Sequence, residues 1–282
     1  MKIFTNVKDV EQCATLQSDL QTVSEWCYAN KMRLNVEKCC IISFTRKKNK
    51  FTYSYTIEDH SLGRRNIVKD LGVLIDEQLT FRPHYEYYIV KRCHRILGFI
   101  IRSTKNFKKP RSILNLFLSI ARSILEYCSP VWSPYYNVHI DNIEKVQKKI
   151  LKFISRKYNL GRTLKNYEQR LSKFGLTSLK TRRVRYDLLC LHKILHSFLD
   201  APGLLSSLSI NTRHRTRFPR TFTLDVYKNN TSYYNPIVRM CRTYNDLACS
   251  GKDSVVDIDI FNSKFSSYKK AVTERLKRDI TH

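Results

Sequence analysis

Hydrophobic residues recur at two spacings along the chain, which predict both helix and strand before residue 83 and helices after it. Residues 7–30 carry apolar side chains every three or four positions, which predicts an amphipathic helix. Trp26 borders the apolar face, and we expect it to pack on a sheet. Two strands are predicted next, because residues 41–44 form a short apolar run and residues 51–57 alternate between two faces.

Residues 64–81 are predicted to form a bent strand or a hairpin that leads directly into a helix. The stretch is rich in β-branched residues and contains a single glycine, Gly72. A glycine inside a strand pattern indicates a bulge or the close approach of another backbone, here close in sequence to Arg64, Arg65 and Lys69. The alternative is an ordinary hairpin whose charged side chains face solvent.

From Pro83 onward the pattern is helical, and the apolar stripes are expected to include Ile120 and Phe198. The predicted helices cover residues 84–104, Pro110 to just before Pro130, 138–157, a Thr177 cap to Phe198, a short helix from 235, and 261–278. A basic extended arm is expected at 213–220. We therefore expect an α+β fold that is predominantly α-helical: a small antiparallel sheet, a helical bundle and a helical C-terminal region. The corresponding domains are residues 1–82, 83–160 and 161–282.

The balance of charge indicates a polyanionic partner. The chain has 51 Lys and Arg against 24 Asp and Glu, so its formal net charge is +27 over 282 residues. This excess is larger than solubility needs, and a nucleic acid fits it, although anionic membranes and heparin remain alternatives. The hydrophobic content of 42% is enough for a sizeable core.

The cysteines, histidines and acidic residues do not predict a metal site. Nine cysteines are scattered without paired spacing, so we expect reduced thiols and neither a disulfide framework nor a zinc site. His192 and His196 have the spacing of two metal ligands but lack an evident third ligand. Asp253, Asp257 and Asp259 are interpreted as a strand edge or a cap. No signal core and no apolar run near the ~18 residues of a membrane span occur, which predicts a cytoplasmic or nuclear protein, neither secreted nor membrane-spanning.

Basic residues lie along the predicted hairpin and on the polar faces of the predicted helices. Such faces suit contacts with a phosphate backbone, which supply affinity without reading bases, while the alternative for each residue is a solvated position. Tyr85, Tyr87, Tyr88, Tyr135 and Tyr136 offer stacking surfaces, although aromatic residues at helical spacing are more often core. The candidate nucleic-acid-binding residues are Arg64, Arg65, Lys69, Lys91, Arg92, Arg95, Arg102, Lys145, Lys148, Lys149 and Lys152.

A series of short segments carries a family resemblance. The segments are LQSDL (16–20), WC (26–27), NKMRLNVEKC (30–39), LTFRPH (79–84), RILGFI (95–100), RSILEY (122–127) and PVW (130–132). In this order and at these separations, they resemble the region C-terminal to the catalytic palm motif in reverse transcriptases of jockey-like non-LTR retrotransposons. The resemblance covers nearly the whole chain.

The resemblance implies that residues 1–82 are an incomplete palm with a primer-grip-like hairpin, followed by a thumb-like helical domain and a basic C-terminal domain. It also implies that the chain begins just beyond the paired aspartates of the polymerase site, so Mg²⁺ is expected only for the intact polymerase and no cofactor for this chain. Lys38 matches a lysine that such enzymes use as a general acid toward pyrophosphate. A solvated lysine beside a strand is the favoured interpretation here.

Three functional hypotheses follow. The first is a fragment of an RNA-directed DNA polymerase that does not polymerise but retains nonspecific binding of RNA, DNA or an RNA–DNA hybrid, as in a primer–template. The second is a cellular RNA- or DNA-binding protein derived from a retrotransposon. The third is a nonfunctional degenerate product whose palm part exposes apolar sheet edges and misfolds.

Overall fold

The computed structural model describes residues 1–47, 52–160, 163–211, 220–227, 229–249 and 258–278. These residues are mostly helical, with a few short strands in two-stranded ladders, which confirms the predominantly α-helical α+β class. The chain divides into two compact units, Met1–Thr80 and Phe81–His282. None of the helices in the described part of the chain combines the length and the apolar character needed to cross a membrane.

The first unit begins with helix α1, Val10–Ala29, where the apolar periodicity predicts a helix. The Asp9 side chain caps it by accepting a hydrogen bond from the backbone N–H of Gln12 at 2.9 Å. The face that is buried is narrow, and Trp26 is 59% exposed. The expectation that Trp26 packs on a sheet is therefore wrong, because more than half of this residue faces solvent.

In the described part of the first unit, the strands form three separate ladders. A parallel pair joins β1 (Cys40–Ile41) to β4 (Gly63–Arg64), and an antiparallel pair joins β2 (Thr56–Ile57) to β3 (His60–Ser61). The predicted strands at 41–44 and 51–57 are thus only two residues long where the structure describes them. The predicted alternation between two faces is present at residues 55–57, since Tyr55 and Ile57 are buried while the residue between them is exposed.

The predicted hairpin is present. Strand β5 (Ile67–Asp70) pairs in antiparallel register with β6 (Val73–Asp76), and Leu71 and Gly72 form a two-residue turn between them. Both turn residues have positive φ, 44° and 89°, as a type I′ turn requires. The expected bulge or close backbone approach at Gly72 is therefore wrong, since this glycine allows the turn itself.

The second unit consists mainly of helices, and those predicted from its first half lie where the periodicity places them. Two stretches have π-helical hydrogen bonding: Pro83–Val90, which continues into α2, and Phe117–Arg122, which joins α3 to α4. The helices are α2 (Lys91–Ser103), α3 (Pro110–Leu116), α4 (Ser123–Glu126), α5 (Ser129–Trp132), α6 (Asn137–Lys157), α7 (Tyr167–Phe174), α8 (Leu179–Leu195), α9 (Pro202–Ser206), α10 (Asn230–Tyr233), α11 (Pro236–Cys249) and α12 (Phe265–Arg278).

Several boundary and burial predictions differ from the structure. Helix α8 is capped by Ser178, which accepts from the Thr181 N–H at 3.0 Å, one residue after the predicted cap. Ile120 and Phe198 are exposed, so their placement in the core is wrong. Most of the predicted arm lies outside the described residues, as do Asp253 and Asp257. Asp259 lies in a turn before α12, where its side chain accepts from the backbone N–H groups of residues 261 and 262.

Helix α6 organises the packing of the second unit. It contacts α2, α3, α7 and α8, and Ile143, Val146, Ile150 and Ile154 on its apolar face are fully buried. A further core forms where α8 meets α11 and α12. Its buried members are Leu188, Leu189, Leu191, Phe222, Met240, Cys241, Tyr244, Ile258, Ile260, Tyr268, Val272 and Leu276.

Candidate nucleic-acid interface

An open groove of about 480 Å³ runs beside helix α6, which supplies most of its cationic lining, with contributions from α2 and α7. We call it the lysine groove. Its lining residues are His94, Lys145, Lys148, Lys149, Lys152, Tyr167 and Arg170.

The four lysines lie together because of helical geometry. Lys145, Lys148, Lys149 and Lys152 occupy positions i, i+3, i+4 and i+7, which share one face of an α-helix. The opposite face carries the buried isoleucines and valine of α6. The burial of one face therefore directs all four ammonium groups to the other.

Repulsion among the four lysines destabilises the folded protein. Like charges three or four residues apart on a helix repel by about 0.2–0.5 kcal/mol per pair, and the four lysines make four such pairs. None of the described residues that line the groove is acidic, and Arg170 adds a fifth cation. A concave surface with one sign of charge concentrates anions near it.

The α7 wall of the groove is held in place by Tyr167. Its ring lies 5.2 Å from the Lys148 ammonium, a cation–π contact. Its hydroxyl donates a hydrogen bond to the Glu144 carboxylate and accepts one from Gln147 Nε2 at 2.8 Å. Burial, followed by the charge of Glu144, raises the pKa of Tyr167. The phenol therefore stays protonated and remains a donor.

Glu144 extends this junction to helix α8. Its carboxylate accepts hydrogen bonds from the backbone N–H groups of Leu179 and Lys180, at 3.1 and 3.2 Å. These donors lie in the first turn of α8, where intrahelical acceptors are lacking and a negative charge is favourable. Gln147 Nε2 also donates to the Thr177 carbonyl at 3.0 Å. Helices α6, α7 and α8 are thus tied together behind the groove.

Two buried polar atoms at the groove have no hydrogen-bond partner within the described part of the chain, Nδ1 of His94 and Nε of Arg170. Arg170 also donates from Nη2 to the Lys165 carbonyl at 3.0 Å. Burial lowers the pKa of His94, and the nearby Lys149 lowers it further, so this ring is neutral at pH 7. Buried polar groups without partners are uncommon, and both atoms here belong to residues of one cationic surface.

The predicted cations of α2 do not line the groove. Lys91, Arg92, Arg95 and Arg102 are exposed on that helix. Lys91 lies 4.6 Å from the centre of the Tyr87 ring, and Arg92 Nη1 is 3.4 Å from the hydroxyl of the tyrosine at 88.

The remaining predicted residues belong to the first unit. Lys38 ends a 3₁₀ turn, Val36–Lys38, and is exposed two residues before β1. The Arg64 guanidinium donates to Ser43 Oγ and to the Tyr53 carbonyl, so it has a structural role in this unit. Arg65 and Lys69 are exposed.

The structure also reveals residues that the pattern did not identify. His94, Tyr167 and Arg170 line the groove because α2 and α7 pack against α6, and spacing along a single helix contains no signal for that contact. His192 and His196 stack at 4.1 Å, and their Nε2 atoms donate to the carbonyls of Ser263 and Ile260. Among the residues that the structure describes, no group of three metal-ligating side chains occurs.

No protein-family model, curated protein or solved structure matches the chain. The groove itself is therefore the basis for assigning a function.

Proposed function

We propose that this chain binds nucleic acid through the phosphate backbone, in the lysine groove, with little dependence on base sequence. One observation carries the proposal: four lysines and one arginine line a single groove in which none of the described lining residues is acidic. Cations that neutralise phosphates release counterions, and this release supplies most of the affinity in nonspecific binding.

The dimensions and chemistry of the groove fit a short length of backbone. From Lys145 to Lys152 the helix rises about 10 Å, a length over which a duplex carries roughly three phosphates on each of its two strands. Ammonium groups on flexible stems are point charges that adapt to phosphate positions, whereas specific reading of bases needs donors and acceptors held in fixed geometry. The groove therefore favours recognition of charge.

This role agrees with the family resemblance, in which the helices after residue 83 correspond to a thumb that grips a primer–template. We infer that RNA, DNA and RNA–DNA hybrids all bind, in the cytoplasm or nucleus where these polymers occur. We assign binding alone to the chain, whether as a reverse-transcriptase fragment or as a cellular binding protein. DNA synthesis by the purified protein on a primed RNA template with Mg²⁺ would contradict that assignment.

The test replaces Lys145, Lys148, Lys149 and Lys152 with Gln and measures affinity for a blunt duplex by fluorescence anisotropy. The matched control replaces four exposed lysines at or on helix α12 with Gln, which changes the net charge by the same amount. These control residues are Lys264, Lys269, Lys270 and Lys277.

We expect the groove variant to lose at least about a hundredfold in affinity at low salt, because each phosphate contact contributes strongly there. The control should lose much less, and randomised duplex sequences should bind equally well. Equal losses in the two variants would show that the overall charge, rather than the groove, binds the nucleic acid. A strong preference for one sequence would also contradict the proposal.

A further inference from the structure

Four tyrosines form a cluster beside the start of α6. Tyr135 stacks on Tyr234 with ring centres 4.2 Å apart and planes 3° from parallel, and it also contacts Tyr136 at 4.3 Å. Tyr233 packs edge-on against Tyr234 at 4.8 Å. We call these residues the tyrosine cluster.

The cluster presents aromatic surface to solvent and includes a positive charge. Tyr136 is 51% exposed and Tyr233 is 39% exposed. The Arg242 guanidinium lies 3.4 Å from the centre of the Tyr233 ring and donates to the Tyr233 carbonyl at 3.0 Å. An arginine held against an aromatic ring is favourable for stacking with a planar, electron-rich ligand.

A second cleft adjoins the lysine groove, and one of its lining residues, His139, contacts this cluster. The cleft has a volume of about 280 Å³ and shares His94 and Lys145 with the lysine groove. His139 also lines it, and the His139 ring contacts Tyr136 edge-on at 6.1 Å. The surface therefore passes from lysines, through His139 and the Glu86 carboxylate that lies 2.8 Å from its Nδ1, to exposed tyrosine rings.

We propose that the tyrosine cluster stacks unpaired bases of a strand whose backbone lies in the lysine groove, so that the preferred ligand combines a duplex with a single-stranded extension. This inference rests on the function proposed above and adds the form of the nucleic acid. Bases inside a duplex are already stacked on each other, whereas unpaired bases have free faces that aromatic side chains can cover. Stacking of this kind accepts any base, in agreement with binding that ignores sequence.

The experiment compares three ligands: a blunt duplex, the same duplex with a short single-stranded extension, and the same extension built from abasic sugars. The two extended ligands carry equal numbers of phosphates, so the ratio of their affinities isolates the contribution of the bases. We expect the extension with bases to bind about tenfold more tightly than the abasic one, within the range found for stacking of one or two bases.

The variant Tyr136→Ala/Tyr233→Ala should reduce this ratio to about one and leave binding of the blunt duplex unchanged. Tyr136→Phe/Tyr233→Phe, which keeps both rings, should preserve the ratio. Tyr28→Ala removes an exposed tyrosine of the first unit and serves as the control. Circular dichroism of each variant checks that the fold is intact.

A ratio of one in the wild-type protein, or an unchanged ratio in the double alanine variant, would overturn the assignment of the tyrosine cluster. That failure is distinct from failure of the lysine groove. If the groove is wrong, the lysine variant binds the blunt duplex as well as its matched control does, whatever the tyrosine variants show.

Discussion

Glu144 is a single buried residue on which the shape of the lysine groove depends. It is 5% exposed, and its carboxylate receives one phenol and two backbone donors from α7 and α8. A buried carboxylate is stable in such a place only because each of these hydrogen bonds compensates for lost hydration. Glu144 directly precedes Lys145, the first groove lysine, in the sequence. It lies on a different face of α6, where it stabilises the fold.

Replacing Glu144 with Ala should lower the free energy of unfolding by about 2–4 kcal/mol, because the first turn of α8 and the Tyr167 hydroxyl lose their acceptor. Urea unfolding measures the loss. Asp141, an exposed acid three residues earlier on α6, is the control, and its Ala variant should change stability by no more than about 0.5 kcal/mol. Equal effects in the two variants would contradict the role given to Glu144.

His84 makes the second unit sensitive to acid. It is 1% exposed, stacks on Tyr88 and meets Trp132 edge-on at 5.4 Å. Burial lowers its pKa from 6.5 to about 4. The folded protein therefore favours the neutral ring. The contribution of this preference to the free energy of unfolding is complete above pH 6.5 and is lost as the pH falls from 6.5 toward 4.

At pH 5, 1.5 pH units below the unfolded pKa, this effect should cost about 2 kcal/mol relative to pH 7. The variant His84→Phe keeps a ring of similar shape and should lose about 2 kcal/mol less than the wild type over the same interval. Burial also lowers the pKa values of His94 and His192, but these residues are present in both proteins and cancel in the comparison. Parallel stability curves for the two proteins would refute the assignment to His84.

At this scale the sequence identified the groove lysines but not the residues that support them. Helical spacing places Lys145, Lys148, Lys149 and Lys152 on one face, and that follows from local geometry alone. Glu144 and Tyr167 are 23 residues apart, and their hydrogen bond depends on how α7 returns to α6. Periodicity within one helix contains no information on such a contact.

At the scale of elements, charge alone does not separate a binding face from a structural one. Helix α8 has several arginines at its first turns, yet Arg182 is bound to Glu126 and to the Tyr186 hydroxyl, and Arg183 is buried. Helix α6 instead has its four groove lysines exposed. The difference lies in what packs against each helix. The positions of these helices could be predicted from the sequence. Which cations form ion pairs or hydrogen bonds could be learned only from the tertiary structure.

Repulsion within the lysine face of α6 should lower the free energy of unfolding, and replacing lysines of this face should raise it again. Lys145→Gln/Lys152→Gln eliminates all four like-charge pairs of the face and keeps the Lys148–Tyr167 contact, so it should raise the free energy of unfolding by about 1 kcal/mol at low salt. The gain should vanish at high salt, where screening already weakens the repulsion. Urea unfolding at both salt concentrations measures it.

Lys269→Gln/Lys270→Gln on α12 is the control, because these neighbours in sequence do not face each other on a helix. It should give little change at either salt concentration. A less stable α6 variant, or a gain that persists at high salt, would show that the lysines contribute packing instead of repulsion.

At the scale of the whole molecule, the sequence predicted the helical character and the positions of the long helices, but overestimated the strands. The helices follow from apolar stripes that repeat over several turns, as in α6. A strand forms only where a partner strand is available. Residues 41–44 and 51–57 have the hydrophobic pattern of strands, but each stretch pairs over only two residues in the described part of the chain. The type I′ turn at Leu71 was similarly difficult to predict, because leucine rarely adopts positive φ.

The net charge of +27 offers two explanations of nucleic-acid binding, and the salt dependence of affinity separates them. If the lysine groove provides the contacts, four lysines and one arginine neutralise about five phosphates, and log K should fall with log salt concentration at a slope of about −4.5 on duplex DNA. The quadruple Gln variant of the groove should then have a slope near −1, because about four contacts are lost. If charge spread over the surface provides the binding, the slope is steeper and changes equally in the groove variant and in its α12 control. Anisotropy titrations over a range of salt concentrations distinguish the two outcomes, and equal slopes for the two variants would remove the basis for a defined site.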